Sequence, residues 1–219
     1  MKLRLGFVTN SSSSSFILMK INSEKLTELY NIMCVCADIS DGYGEISVKD
    51  GAIVYSDEYV CFDGYVESKL DMLNAFLTGL AGDMGPYISE DETYNESVDL
   101  SRLENNDAPG SWRFAASIFR ARNEILKDVT YMEYKYSEHG WSGEGDSRYD
   151  QSTYSEAELD QIYRDIAEEY GKPVEEVDED DFYEYAGERT GVIEDVFKYT
   201  RDENGEEKIL SENRHYLEG

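Results

Sequence analysis

An α+β fold with a mostly antiparallel sheet and three to five helices is what this sequence predicts, and three observations carry the prediction. Apolar residues recur at helical spacing in several stretches, and serines or glycines mark the ends of these stretches. Between them stand short apolar runs with hairpin turn signals, Asp50-Gly51 and Asp202-Glu-Asn-Gly205. Aromatic residues make up 13% of the chain, including 18 tyrosines, and disordered acidic chains lack them. No internal repeat is visible, and 219 residues suffice for one large domain or two small ones.

In chain order, residues 3–8 and 16–21 read as two strands. Thr9, Asn10 and the run Ser11 to Ser15 join them as a hairpin, because Ser and Asn side chains bond nearby backbone groups and favour turns. A helix begins near Ser23 and turns Leu26, Leu29, Tyr30, Met33, Cys34 and Ala37 inward. Asp41-Gly42-Tyr43-Gly44 breaks it, and residues 45–48, 52–56 and 59–62 follow as short antiparallel strands. Ser68, with Asp71 three residues on, opens a second helix with Leu70, Leu73, Leu77 and Leu80 as its stripe. Gly82, Gly85 and Pro86 stop it. Residues 86–110 form a polar linker or surface excursion between an N-terminal part, 1–85, and an acidic C-terminal part, 111–219; one continuous domain is the alternative.

Residues 112–127 return to helical spacing through Ala115, Ile118, Phe119, Arg122, Ile125 and Leu126, and 129–136 read as a strand. A glycine-rich loop from Glu138 to Asp146 follows. Ser155 and Glu158 make a capping box for a helix with Leu159, Ile162, Tyr163, Ile166 and Tyr170 inward, ended by Gly171 and Pro173. A short acidic helix spans 180–185. Residues 196–200 and 208–210 close the chain as a hairpin.

The charge narrows the function. Asp and Glu number 48 against 20 Lys and Arg, a formal net of -28, and no basic patch is segregated. A field of that sign repels nucleic acid and anionic membrane surfaces, so direct nucleic-acid or membrane binding is not expected. Solubility and mimicry of a polyanion are the two readings that remain. Cys34, Cys36 and Cys61 cannot all pair within one chain, a usage that suits a reducing cytoplasm. Cys34-Val-Cys36 lacks the two-residue spacer of a redox or zinc motif, and His139 and His215 are the only histidines, so neither a metal site nor a cofactor is expected. Lys2 and Arg4 are not followed by an apolar stretch of signal-peptide length, and no run of about 20 apolar residues exists to span a membrane.

Three stretches carry candidate chemistry. The serine run lacks the Lys and second Gly of a phosphate loop and reads as a turn. In the 138–146 loop His139 could act as a base with Glu144 or Asp146 orienting it, and Trp141 offers a stacking surface; the alternative is a glycine-rich hairpin with an exposed histidine. Gly-Trp-Ser-Gly does not have the spacing of a nucleophile elbow. Asp178, Glu179, Asp180 and Asp181 lack the alternating acids and central Gly of a calcium loop, and four acids at a helix start interact favourably with its dipole. Residues 156–218 hold 22 acids and 7 bases, with many acids beside Tyr163, Tyr170, Phe182, Tyr183, Tyr185 and Tyr199. Rows of carboxylates flanked by tyrosines could occupy a basic nucleic-acid channel, with Asp178, Glu179, Asp180, Asp181, Tyr183 and Tyr185 as the contacts.

Gly6-Phe7-Val8-Thr9-Asn10, the five serines and Phe16 resemble an opening shared by many uncharacterised bacterial and phage proteins. The resemblance covers about 15 residues, implies a phage or bacterial origin with an intracellular life, and brings no catalytic residue. The expected function is a non-enzymatic acidic interaction protein of phage or mobile-element type, cytoplasmic in its host. It binds a basic surface of a host or defence protein, with nucleic-acid mimicry as one route. A virion-associated structural subunit and an enzyme using the His139 loop are the alternatives.

Overall fold

Burial alternates along the first strand, β1 (Ser14–Asn22), because successive side chains point to opposite faces: Ile17, Met19 and Ile21 are buried while Phe16, Leu18 and Lys20 stay half-buried. The computed structural model describes residues 14–36, 44–58, 66–89, 100–140, 151–188 and 190–218. The expected strands at 3–8 and 59–62, most of the serine run, Cys61 and loop residues 141–150 lie outside them.

The helices are α1 (Glu24–Cys36), α2 (Lys69–Ala81), the single turn α3 (Leu100–Leu103), α4 (Gly110–Asp128), α5 (Glu156–Tyr170) and α6 (Glu179–Glu188). The remaining strands are β2 (Glu45–Lys49), β3 (Ala52–Glu58), β4 (Tyr131–Gly140), β5 (Thr190–Arg201) and β6 (Glu207–Glu218). The six strands form an antiparallel sheet in the order β2-β3-β1-β4-β5-β6. The fold is therefore α+β, as the sequence predicts.

Two compact units divide the chain, one holding Phe16–Tyr136 with Asp195–Asn213, the other built on Ser137–Glu194. This differs from the expected division at 86–110. Those described residues that stand in this stretch belong to the first unit, because they are tied to its helices. Asn74 of α2, buried, accepts from the Ile88 N–H at 2.7 Å and donates to the Ile88 carbonyl at 2.8 Å. Glu104, just after α3, holds Arg120 of α4 through two hydrogen bonds of 2.5 and 2.7 Å.

In the first unit Asp50 and Gly51 make the predicted two-residue turn between β2 and β3. Both have positive φ, 52° and 79°, which matches the twist of the strands. β3 then pairs with β1, Met19 opposite Tyr55 and Ile21 opposite Ile53. The Asn22 carbonyl accepts from Thr130 N–H, and the Thr130 carbonyl from Arg201 N–H, which joins β1, β4 and β5 at one end. α2 packs on the sheet through Phe76, whose ring meets Tyr55 edge-on at 5.9 Å, and through Lys69, whose amine lies 4.6 Å over the Tyr199 ring.

Cys34 is exposed, not turned into the core as its spacing suggests. Eight residues at about 100° each place it about 80° round the helix from Leu26, at the margin of the buried stripe. α1 buries Leu26 fully and Leu29, Tyr30 and Met33 in part. The strands β5 and β6 run to 12 residues each, far beyond 196–200 and 208–210, because their alternate charged residues mask the period-two pattern.

Candidate functional site

The acidic stretch singled out in the sequence folds as a small helical pair in the second unit. α5 starts on the predicted capping box: Ser155 Oγ accepts from Glu158 N–H at 3.3 Å, and the Glu158 carboxylate accepts from Ser155 N–H at 2.8 Å. It ends on Gly171, whose left-handed φ of 64° lets Lys172 N–H reach back to the Ala167 carbonyl at 3.0 Å. A 3-10 turn at Val174–Glu176 leads into α6.

The core between these helices is aromatic. Tyr154, Ile162, Ile166, Phe182, Tyr185 and Ala186 are buried, with Leu159, Tyr163, Tyr170 and Val177 packed around them. Phe182 stacks on Tyr163 at 6.3 Å and meets Tyr154 edge-on at 6.2 Å. Ile162 and Ile166 are core residues, as their spacing predicts. Tyr185 is corrected: it is only 5% exposed and belongs to the core, so it is no contact for a partner. Positions 182, 185 and 186 share one helix face, which is the face turned to α5.

The four acids at the start of α6 have different tasks. Asp178 and Asp181 cap the helix reciprocally: Asp178 Oδ1 accepts from Asp181 N–H at 3.1 Å, and Asp181 Oδ2 accepts from Asp178 N–H at 2.8 Å. The Lys172 ammonium contacts the Asp181 carboxylate, and with the Asp178 backbone bond it lowers the Asp181 pKa. Glu179 accepts from Tyr183 Oη at 3.0 Å. Asp178, Glu179 and Asp180 are exposed, and Tyr183 is 41% exposed. Sequence reading missed the Lys172 tie, which spans nine residues and has no helical or strand period to reveal it.

Around this pair negative charge dominates the surface. Residues 151–188 contain 14 acids and two bases, Arg164 and Lys172. Eleven of those acids are exposed, among them Glu156, Asp160, Glu168, Glu175, Glu176 and Glu184. Exposure follows from the helical period: the apolar residues take the inner face, and acids fill the rest.

His139 lies in the last residues of β4, half-buried, and not in a loop, because the strand continues past Tyr136 to Gly140. Trp141, Glu144 and Asp146, the other residues of that expected grouping, lie outside the described residues. Among the described residues no three His, Cys, Asp or Glu side chains converge as metal ligands, and no helix is long and apolar enough to cross a membrane. No protein-family model, curated protein or solved structure matches this chain.

Proposed function

We propose that this protein is a non-enzymatic interaction protein whose acidic helical pair docks on a basic protein surface of the kind that binds nucleic acid. The observation that carries the reading is the charge of residues 151–188: eleven exposed carboxylates surround a packed aromatic core, and one of the two cations is taken up by Asp181. Such a surface speeds encounter with a basic groove and orients the docked pair. Tyr183 adds an aromatic contact beside Glu179 and Asp180 at small entropic cost. The partner would be a host or defence protein if the chain is encoded by a phage or mobile element.

The test is capture from host lysate by the wild-type chain and by a variant carrying Glu179→Lys, Asp180→Lys and Glu184→Lys, with increasing duplex DNA added. The reading expects capture to weaken with charge reversal, with rising salt and with duplex. Capture that survives the triple reversal places the contact elsewhere. A partner that holds duplex and this protein together rules out mimicry and leaves an ordinary protein interface.

A further inference from the structure

We infer that the outer edge of β6 pairs with β6 of a second copy of this chain, antiparallel and centred on Leu210, to make a two-fold symmetric dimer. This goes beyond the proposed function and involves a different unit of the chain. β6 is the last strand of the sheet, and among the described residues no strand lies beyond it. Its residues 207–211 are all exposed, with Ile209 56% and Leu210 46% exposed. Native sheets usually blunt such an edge, because its unpaired N–H and C=O groups template another strand.

The backbone fixes which residues face outward. Asp202 N–H donates to the Glu206 carbonyl at 3.0 Å, and Gly205 N–H to the Asp202 carbonyl at 3.0 Å. This is a type I turn closed by a glycine bulge, and it sets Thr200 opposite Lys208 and Lys198 opposite Leu210. Arg201 N–H is turned the other way, toward the carbonyl of Thr130 just before β4, which agrees with that alternation. Lys208, Leu210 and Glu212 therefore spend their N–H and C=O groups on β5. The backbone groups of Ile209 and Ser211 point outward.

Two copies can pair antiparallel only in registers that match outward groups with outward groups. Centred on Leu210, Ile209 of one copy exchanges hydrogen bonds with Ser211 of the other. Leu210 then lies against Leu210, and Lys208 against Glu212, twice by symmetry. These fall on non-hydrogen-bonded pairs, where Cα atoms approach to about 4.5 Å and side chains touch most closely. Shifting the centre to Ile209 puts Lys208 against Leu210, and shifting it to Ser211 puts Leu210 against Glu212. Charge complementarity thus selects the Leu210-centred register. The net charge of -28 on each copy opposes association, but charges further apart than about 8 Å are largely screened at physiological salt.

The experiment is sedimentation equilibrium at physiological salt over a micromolar-to-millimolar dilution series. The wild-type chain should move from 25.1 kDa to twice that mass. Ile209→Pro removes a donor that points outward and leaves the β5 ladder intact, so it should keep the melting temperature and remain at the monomer mass. Lys208→Glu should also remain monomeric, and the exchange Lys208→Glu with Glu212→Lys should restore the dimer. A wild-type chain that stays monomeric throughout overturns the inference. So does a dimer that persists in folded Ile209→Pro and in Lys208→Glu, or a ladder of masses beyond the dimer, which would signal head-to-tail pairing with the β2 edge.

Discussion

Replacing Asp128 with Ala should unfasten the start of α1 from the end of α4. Asp128 Oδ1 accepts from the Ser23 hydroxyl at 2.7 Å, and its Oδ2 accepts from Lys25 N–H at 2.8 Å. Ser23 Oγ in turn accepts from Leu26 N–H at 3.0 Å, so the helix cap is itself held by a carboxylate 105 residues away. Ser23 is only 1% exposed, and its hydroxyl would lose its acceptor in a place water reaches poorly. A hydrogen bond to a charged group contributes about 1.5–3 kcal/mol. Two such bonds, reduced because Asp128 is half-buried and water replaces part of what is lost, give about 2–4 kcal/mol for Asp128→Ala. Ser23→Ala removes the cap alone and should cost about 1–2 kcal/mol. The two act through one network, so the double variant should fall short of the sum by about 1 kcal/mol or more. Urea unfolding followed by tryptophan fluorescence, with an unchanged m-value, reads all three differences. Strict additivity, or a loss below about 0.5 kcal/mol for Asp128→Ala, would refute the idea that this network anchors α1.

Three further outcomes are expected. Burial opposes ionisation of Glu133, but bonds from Tyr131, Lys135 and Lys20 outweigh it and hold the pKa at about 2, below the usual 4.5. Its contribution to stability is present above pH 4.5 and lost as pH falls toward 2, so Glu133→Gln should destabilise at pH 7 and have little effect at pH 2 in paired urea titrations. Burial pushes Asp195 up to about 6, and its buried Oδ1 has no hydrogen-bond partner among the described residues. A raised acid favours the fold below 3.8 and loses that contribution as pH rises through 6. Asp195→Asn should therefore raise the melting temperature at pH 8 and not at pH 3.5, and a lowered melting temperature at pH 8 would contradict the account. A Cβ at Gly79 would stand 2.8 Å from the Tyr55 ring, and the Gly79 carbonyl lies 3.0 Å from Tyr55 Oη. Gly79→Ala should cost about 1–3 kcal/mol in urea unfolding, with Tyr55→Leu relieving part of the clash in the double variant.

The sequence by itself determined those features whose partners lie within one turn. Ser155 and Glu158 cap α5, Gly171 ends it, Asp50-Gly51 turns the β2–β3 hairpin, and Ile162 and Ile166 face inward. Each depends on residues two to four apart, so helical period, turn chemistry and capping suffice to read it. The charge that motivates the proposed function was legible for the same reason, because composition needs no geometry. Tertiary structure alone decided the rest. Cys34 and Tyr185 exchanged their expected roles, since one side of a helix is core only where another element covers it. The order β2-β3-β1-β4-β5-β6 leaves β6 at an edge, and no local pattern in Glu207–Glu218 distinguishes an edge strand from a central one. Asp128 meets Ser23 and Lys25 across more than 100 residues, a pairing that exists only after the sheet has brought the ends of β1, β4 and β5 together. Such contacts depend on chain closure over long loops, whose outcome is set by the packing of the whole unit and leaves no periodic trace in the residues that make them.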